Sequence, residues 1–309
     1  MSGGRVRLSI FLAAAVAAGV FGGAAVQAQP APPAAAAPAA PPAPQPQTAK
    51  ELKPGLLMII GAGGNSTARI TKEGVILVDG KLAGQANFDN LLAQINLKQT
   101  SPVKLVFNTH HHADHSGNND RFIQAGAQVI ASDDLKQIIT TYTLNPGAQR
   151  PSPPNVTFPR DYTARLGGVE VRAHHEGPGH TGGDSVIYFP DVKVAAFGDE
   201  LVAATPNCDY PAGGSIAGWI KSLDAALKLD FDTAIPGHGD NPMTKAQVAE
   251  FKTKLETLLA RGRELVKTGT PKDQLIAKLK VDDLGWNLNV PNWTQPARLD
   301  PFYAELSRP

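Results

Sequence analysis

The chain has 309 residues, of which 29 are lysine or arginine and 28 are aspartate or glutamate, so its formal net charge is +1. Positive and negative residues are interspersed and form no basic stripe, which argues against a protein that binds nucleic acid. Cys208 is the only cysteine, so no disulfide within the chain is possible.

The N-terminus has the features of an export signal. Two arginines precede an apolar stretch from Leu8 to Val26, and small residues up to Ala28 suit a signal peptidase. We expect a signal peptide over residues 1–28, and hence a periplasmic or secreted protein with no stable membrane span. An uncleaved anchor is the alternative, because the stretch is nearly long enough to cross a bilayer. Residues 29–49 are almost all Pro, Ala and Gln, a composition typical of an extended linker.

The remaining segment, residues 50–309, is within the size range of one large domain. Short β-branched runs predict strands at Leu56–Ile60, Ser66–Ile70, Val75–Val78, Val103–Phe107, Gln128–Ala131 and Thr233–Ile235, with strand pairs around Gly167-Gly168 and Pro190-Asp191. Apolar residues at helical spacing, together with acidic residues at a helix start, predict helices over residues 88–95, 133–141, 215–229, 245–267 and 273–280. Alternating elements of this kind indicate an α/β fold, with a helical C-terminal extension from about residue 243.

A dense group of potential metal ligands follows the predicted strand Val103–Phe107. His110, His112, Asp114 and His115 form a His-x-His-x-Asp-His array on a strand-to-helix loop. Alternate residues of an extended chain share a face, so His110 and His112 can bind one metal ion, and the following turn can aim Asp114 and His115 at a second. The alternative is a surface histidine cluster without function.

Three further candidate ligands lie next to apolar runs later in the chain. His180 lies in the glycine-rich segment 177–184, His238 lies in the segment 236–240, and Asp199 ends an apolar run. Glycine lets the backbone pass close to an ion and adopt conformations that other residues avoid. These positions favour the interpretation of the array as part of a two-metal centre.

The motifs and their order resemble the metallo-β-lactamase superfamily of dinuclear metallohydrolases, over about residues 55–238 and only weakly beyond them. The resemblance implies an αββα sandwich, in which two mixed sheets are flanked by helices and the metals lie at one edge. It places His110, His112 and His180 in a first metal site, and it places Asp114, His115 and His238 in a second. Asp199 stands where the family has the residue that bridges or completes the second site.

The ligand set predicts an enzyme with two zinc ions. Neutral imidazoles and carboxylates hold zinc with open coordination positions, and a bound water then loses its proton near neutral pH to become the nucleophile. A second ion can polarise the carbonyl or hold the leaving atom, so the pair suits hydrolysis of an ester, lactone, thioester or amide in a small-molecule substrate. Asp114 has a further expected catalytic role, which is to accept a hydrogen bond from the attacking water. Ser116 and Thr181 have no base assigned to them, so we expect structural roles.

Several other residues near the motifs admit two interpretations. Asp79 ends a predicted strand and is either the acceptor for the outer N–H of a metal-binding imidazole or a turn former before Gly80. His111 alternates with the ligands and should point away from the metals. One of His174 and His175 could reach the pocket.

Aromatic residues near the C-terminus indicate core packing or a subunit contact, with a wall of the substrate pocket as the alternative. These residues are Trp286, Trp293, Phe302 and Tyr303.

The substrate and the oligomeric state stay open at this point. One large class of family β-lactamases carries cysteine in place of Asp199 and often a lysine where this chain has Val202, so a β-lactamase assignment is weakened but not removed. Cys208 would have to swing back along the chain to supply that thiolate. Glyoxalase II-like thioesterases carry an aspartate at this position, but the segment after His238 lacks their aromatic residue. A non-catalytic or redox-accessory metalloprotein is a further alternative, whereas the complete second site argues against a one-iron sulfur dioxygenase.

Overall fold

The computed structural model describes residues 45–97, 100–142 and 150–308. The predicted signal peptide and most of the predicted linker lie outside these residues. Within them the fold begins before residue 50, because Gln47 is buried and donates a hydrogen bond from Nε2 to the carbonyl of Asn87 at 2.8 Å. A first strand starts at Thr48. The boundary between linker and domain therefore lies a few residues before the predicted position.

The first sheet pairs seven strands in chain order within the described residues. These strands are β1 (Thr48–Lys53), β2 (Leu56–Ile60), β3 (Ser66–Thr71), β4 (Gly74–Val78), β5 (Val103–Phe107), β6 (Gln128–Ser132) and β7 (Val156–Phe158). Neighbours are antiparallel from β1 to β4 and parallel from β4 to β7. Parallel neighbours need crossover connections, which here contain α1 (Gln85–Ile95), α2 (Ala113–Ser116), α3 (Asn119–Gln124) and α4 (Asp133–Thr141).

The second sheet has six strands in the described part of the chain, in the order β13-β12-β11-β10-β9-β8. They are β8 (Asp161–Leu166), β9 (Val169–His174), β10 (Val186–Phe189), β11 (Val194–Val202), β12 (Thr233–His238) and β13 (Met243–Thr244). All neighbours are antiparallel except β11 and β12, which are parallel and are connected through α5 (Ile216–Ala226). The predicted strand pairs around Gly167-Gly168 and Pro190-Asp191 are confirmed as β8–β9 and β10–β11.

The C-terminal region is helical. Its helices are α6 (Lys245–Lys267), α7 (Lys272–Lys278), α8 (Pro291–Thr294) and α9 (Pro296–Leu306), with 3-10 turns at Tyr210–Ala212, before this region, and at Asp282–Leu284. Helix α6 begins with a capping box, in which Thr244 and Gln247 satisfy each other's backbone N–H groups. None of the helices that the structure describes has the length and hydropathy needed to cross a membrane.

Three main groups of buried apolar residues define the layers. One group lies between the two sheets and includes Phe107 of β5 and Phe189 of β10. A second packs α1 and α3 on the first sheet, where the rings of Phe88 and Phe122 have centroids 5.0 Å apart. The third joins the second sheet to α5, α6 and the helices that follow. The domain is therefore an αββα sandwich of two mixed sheets flanked by helices, as the family resemblance implies.

The C-terminal aromatic residues belong to this third group. Trp286, Trp293 and Phe302 are buried, and the rings of Trp293 and Phe302 pack edge to face with centroids 5.2 Å apart. Tyr303 is partly buried and donates its hydroxyl to the carbonyl of Thr270 at 3.0 Å. The prediction of core packing is confirmed for these residues.

Candidate metal centre

The candidate ligands meet at one edge of the sandwich, where strands of both sheets end. The first sheet supplies the four residues of the array, on the loop after β5 and on the short helix α2. From the second sheet, His180 lies between β9 and β10, Asp199 lies in β11, and His238 is the last residue of β12. The structure brings all seven predicted ligands together in two groups.

Two glycines allow the backbone to pass close to this cluster. A Cβ atom at Gly64 would lie 2.1 Å from Cε1 of His115, and a Cβ atom at Gly237 would lie 2.1 Å from Oδ1 of Asp199. Any side chain at either position would displace a candidate ligand. The glycines therefore determine how tightly the ligands can gather.

The first group contains three imidazoles whose nitrogens converge. His110 Nε2 and His180 Nε2 each lie 3.1 Å from His112 Nδ1. Nitrogen ligands about 2.0 Å from a tetrahedral zinc ion lie about 3.3 Å apart, so this spacing suits one shared ion. Oδ2 of Asp199 completes the group, at 3.6 Å from His180 Nε2 and 3.9 Å from His110 Nε2.

A hydrogen-bond chain determines which nitrogen of His110 faces the group. The hydroxyl of Thr109 donates to Asp79 Oδ2 at 2.7 Å. Because a hydroxyl has only one proton, Thr109 Oγ1 must accept from His110 Nδ1, which lies 3.1 Å away. The proton of His110 therefore lies on Nδ1, and Nε2 presents a lone pair to the centre.

The other two imidazoles of the first group are oriented in the same way. Nε2 of His112 donates to Oδ2 of Asp209 at 2.8 Å, and Nδ1 of His180 donates to the backbone carbonyl of Asn207. The outer nitrogen of each ring thus carries the proton. The inner nitrogens are unprotonated, which is the tautomer that binds a metal.

The second group contains Asp114, His115 and His238. Nε2 of His238 lies 3.2 Å from Asp114 Oδ2 and 3.5 Å from His115 Nε2. Asp199 joins the two groups, because its Oδ1 lies 3.3 Å from His115 Nε2 and 3.4 Å from His238 Nε2. On the outer side of its ring, His115 Nδ1 donates to Asp79 Oδ2 at 2.8 Å. Asp79 is thus the acceptor for one candidate ligand directly and for His110 through Thr109.

Burial and neighbouring charges set the protonation of the cluster. Burial, aided by the adjacent histidines, holds the pKa of His110 well below its usual value, and burial lowers the pKa of His180 to about 4. Burial raises the pKa of Asp199, but the charge of His115 outweighs it, so the net pKa lies below the usual range. Burial likewise lowers the pKa of His115, but the charges of Asp199 and Asp79 raise it well above its usual value. Metal binding would therefore displace a proton from His115.

Two features of this donor set fit bound metal. Oδ1 of Asp199 is buried and receives no well-directed hydrogen bond from the described residues, although two ring nitrogens lie within 3.4 Å. The inner nitrogens of the first group face one another without a proton between them. Buried polar atoms without hydrogen-bond partners destabilise a fold, and a cation bound at each group would provide those partners. Imidazole and carboxylate donors are those that zinc prefers.

The remaining histidines do not join the two groups. His111 packs its ring against Tyr142, with centroids 5.4 Å apart, and belongs to neither of the two ligand groups. A ring nitrogen of His111 lies within 4.8 Å of potential ligand atoms of His112 and Asp209. His112 and Asp209 already form a hydrogen bond with each other, however. The hypothesis that His174 or His175 reaches the pocket is wrong. Both rings bond elsewhere: His174 to Asp161 at 2.7 Å, and His175 to the carbonyl of Asp184 at 2.6 Å and to Asp134 at 3.0 Å.

Hydroxyl and thiol groups near the cluster have structural contacts. Ser116 donates to the carbonyl of His111 at 2.9 Å, and Thr181 donates to Asp184 Oδ1 at 2.8 Å. The Cys208 thiol is buried and its Sγ contacts the carbonyl of Gly179 at 3.9 Å, outside both ligand groups. Asp199, not Cys208, therefore occupies the ligand position at this corner.

Residues outside the sequence motifs also support the cluster, among them Asp209 and Lys81. Asp209, the acceptor for His112, lies 97 positions away from it and stands in no motif. Lys81 is buried behind the second group, where its Nζ donates to the carbonyls of Ile59 at 2.6 Å and Gly64 at 2.7 Å. Burial lowers the pKa of Lys81 to about 7. A lysine in a turn after a strand carries no sequence signal of such burial.

The fold and the paired ligand groups are those of metal-dependent hydrolases. The family model of the metallo-beta-lactamase superfamily matches residues 60–238, more than half of the chain's 309 residues. The protein belongs to this superfamily.

Individual relatives differ in their reactions. Metallo-beta-lactamase IND-1 of Chryseobacterium indologenes is 28% identical over 181 residues, which are 57% of this chain and 72% of that protein. Hydroxyacylglutathione hydrolase of Brucella ovis is 34% identical over 134 residues, 43% of this chain and 46% of that protein. The alpha subunit of 2,4-dinitroanisole O-demethylase from Nocardioides sp. is 25% identical over 142 residues, 44% of this chain and 40% of the subunit. The chain thus spans less than half the length of the last two relatives.

Solved structures share the fold. A metallo-beta-lactamase from Pontibacter korlensis superposes with a TM-score of 0.59 at 20% identity, covering 68% of this chain and 99% of that one. The stereoselective inverting sec-alkylsulfatase Pisa1 from Pseudomonas sp. superposes with a TM-score of 0.65 at 18% identity, covering 83% of this chain and 49% of that one. At these identities the likeness concerns the fold alone.

Proposed function

We propose that this protein is an exported hydrolase that uses two zinc ions to cleave an ester, lactone, thioester or amide in a small-molecule substrate. The observation that carries the proposal is the pair of ligand groups joined by Asp199, because seven nitrogen and oxygen donors from both sheets converge there. The tautomers fixed by Thr109, Asp209 and Asn207 support it, since they leave lone pairs aimed at the centre.

The residues around the centre have distinct tasks. When bound, the metal pair would supply Lewis acidity and a water molecule of lowered pKa. Burial raises the pKa of Asp114, but its hydrogen bond with His238 and the charge of His115 outweigh this, so the net pKa lies below the usual range. Asp114 is therefore a carboxylate at neutral pH and can accept a hydrogen bond from the attacking water.

The exposed side of the cluster indicates where substrate approaches. The side chain of His238 is 44% exposed and that of Asp114 is 28% exposed, whereas His110 and His115 are fully buried. The side chain of His112 in the first group is 24% exposed, so a substrate can reach the centre across both groups. The fully buried His110, His115 and His180 would keep their orientation while the substrate binds and leaves.

Asp199 bears on the choice of substrate. Its two carboxylate oxygens face different groups, so both groups keep nitrogen and oxygen donors without a thiolate. This arrangement favours the hydrolases that carry aspartate at this position over the β-lactamases that carry cysteine. Similarity to a metallo-beta-lactamase supports β-lactam hydrolysis as the second candidate.

A substrate panel tests the proposal directly. Zinc-loaded protein is assayed with thioesters, lactones, carboxylic esters and β-lactams, beside His112→Ala and the matched control His174→Ala. His174 lies outside both groups and bonds to Asp161. We expect turnover of at least one class that is lost in His112→Ala and retained in His174→Ala. Two bound ions without turnover of any class would favour the non-catalytic or redox-accessory metalloprotein instead.

Export is the part of the proposal that rests on the N-terminal sequence. The two arginines, the apolar stretch Leu8–Val26 and the small residues up to Ala28 support cleavage by a signal peptidase. Expression of the full chain followed by fractionation and N-terminal sequencing should yield a periplasmic or secreted protein that begins at Gln29. Recovery of Met1 from the membrane fraction would establish an uncleaved anchor.

A further inference from the structure

One short loop orients two of the three imidazoles in the first group. The loop consists of Pro206, Asn207, Cys208 and Asp209 and lies between β11 and α5. Its Asn207 carbonyl accepts from His180, and its Asp209 carboxylate accepts from His112 at 2.8 Å. The direction of two candidate ligands therefore depends on how firmly these four residues are held.

The C-terminal helices hold this loop along its length. Trp293 of α8 donates from Nε1 to the carbonyl of Pro206 at 2.9 Å. Arg298 of α9 donates from Nη1 to the side-chain oxygen of Asn207 and to the carbonyl of Cys208, both at 3.0 Å. Both residues lie well beyond residue 238, where the family match ends.

An ion pair between Arg298 and Asp209 completes the contact between α9 and the loop. Nη2 of Arg298 lies 3.3 Å from Oδ1 of Asp209, while Oδ2 of the same carboxylate accepts from His112. The Asp209 side chain is 2% exposed and that of Arg298 is 17% exposed, so solvent screens this pair little. A buried carboxylate without its cation would be costly, and Asp209 would be free to turn away from His112.

We propose that Arg298 and Trp293 are positioning residues of the metal centre. They tie the C-terminal extension to the loop, and the loop in turn holds His112 and His180 in the orientation and tautomer that bind the first ion. This inference rests on the proposed metal function. The C-terminal extension thereby helps to position the metal ligands. A guanidinium fork and an indole N–H can make these contacts, whereas shorter or unforked side chains cannot.

Arg298→Met tests the inference, with Arg261→Met as the matched control. Arg261 also uses a guanidinium fork in the C-terminal region, to both oxygens of Asp283 at 2.7 Å, but it makes no contact with the loop. Competition against a chelator should show a loss of about 10- to 100-fold in affinity for the first ion in Arg298→Met, and wild-type affinity in Arg261→Met. Trp293→Phe, which keeps a ring but removes the donor to Pro206, should show a smaller loss of the same kind.

A second measurement uses the metal-free chain. Nitrogen NMR of the imidazoles should show His112 protonated at Nε2 in the wild type and in Arg261→Met, and a mixture of tautomers in Arg298→Met. Wild-type affinity together with a wild-type tautomer in Arg298→Met would overturn the inference. A wild-type chain that binds no metal would refute the proposed function. Even then the tautomer measurement decides whether Arg298 positions His112.

Discussion

Oδ1 of Asp199 lies 3.3 Å from Nε2 of His115, and the other oxygen of the same carboxylate faces the first group of imidazoles. One side chain thus contributes to both groups. Its position is held by the close approach of Gly237, whose backbone leaves no room for a Cβ atom. Asp199 therefore couples the two groups.

Asp199→Ala should remove the second ion, weaken binding of the first, and lower turnover by at least about 100-fold, because the first group loses its carboxylate and the second keeps only that of Asp114. Cys208→Ser should retain both ions and turnover, since the thiol lies outside both groups. Metal analysis and turnover of the two variants check this prediction. If the serine variant failed and the alanine variant did not, the ligand assignment at this corner would be wrong.

Purified protein should hold about two zinc ions per chain, one for each ligand group. His238→Ala should lose mainly the second ion, because the exposed His238 contacts only the second group and the shared Asp199. His110→Ala should lose mainly the first ion. Elemental analysis of the three proteins measures this, and a content of one iron per chain would contradict it. Equal loss from both variants would show that the ions bind only as a pair.

Glu200→Gln should change how stability depends on pH. Burial raises the pKa of Glu200 to about 8, whereas the unfolded chain releases this proton near pH 4.5. Between these values the folded state binds the extra proton, so the free energy of unfolding of the wild type falls as pH rises. Gln stays neutral and can keep the hydrogen bond from Ser222, which is 3.0 Å long in the wild type.

Urea unfolding of the metal-free proteins at pH 5 and pH 8 provides the measurement. Wild type and Glu200→Gln should be similar at pH 5, and the variant should be the more stable of the two at pH 8. Glu73→Gln, at an exposed position, serves as the control and should follow the wild type at both pH values. An equal change in the free energy of unfolding between pH 5 and pH 8 for Glu200→Gln and the wild type would contradict the prediction.

Glu305→Ala should destabilise the domain by about 3 kcal/mol or more, because hydrogen bonds to a charged group contribute about 1.5–3 kcal/mol each. The buried Glu305 carboxylate accepts from Tyr210 and Ser215 at 2.5 Å, and from the backbone N–H groups of Ile216 and Ala217 at 3.2 and 3.1 Å. These last two donors form the first turn of α5, where a negative charge also favours the helix dipole. Urea unfolding measures the loss, and the exposed Glu264→Ala should change stability by less than about 0.5 kcal/mol.

Much of the fold and the seven candidate ligands could be predicted because their signals are local. The array from His110 to His115 lies within six positions, and strands such as Val103–Phe107 show their burial in their own composition. The helix Lys245–Lys267 matches its prediction at both ends, and in the structure a capping box forms its start.

The supporting residues could not be predicted, because their partners are distant and their types are ordinary. Asp209 meets His112 only when the two sheets pack, and Arg298 meets Asp209 only when α9 docks on the loop. The hypothesis about His174 and His175 was wrong for the same reason. Proximity to His180 in the chain suggested the pocket, but the end of β9 directs both rings to other acceptors.

The ligands come from both sheets, and this has a consequence for a chain with a single cysteine. A bound ion would stabilise the folded domain much as a cross-link does, because its ligands come from distant segments that meet only in the folded state. The metal pair would thus be the cross-link of a domain that can form no disulfide of its own. Chelation would then destabilise the domain, whereas a reductant would find no disulfide within the chain to break.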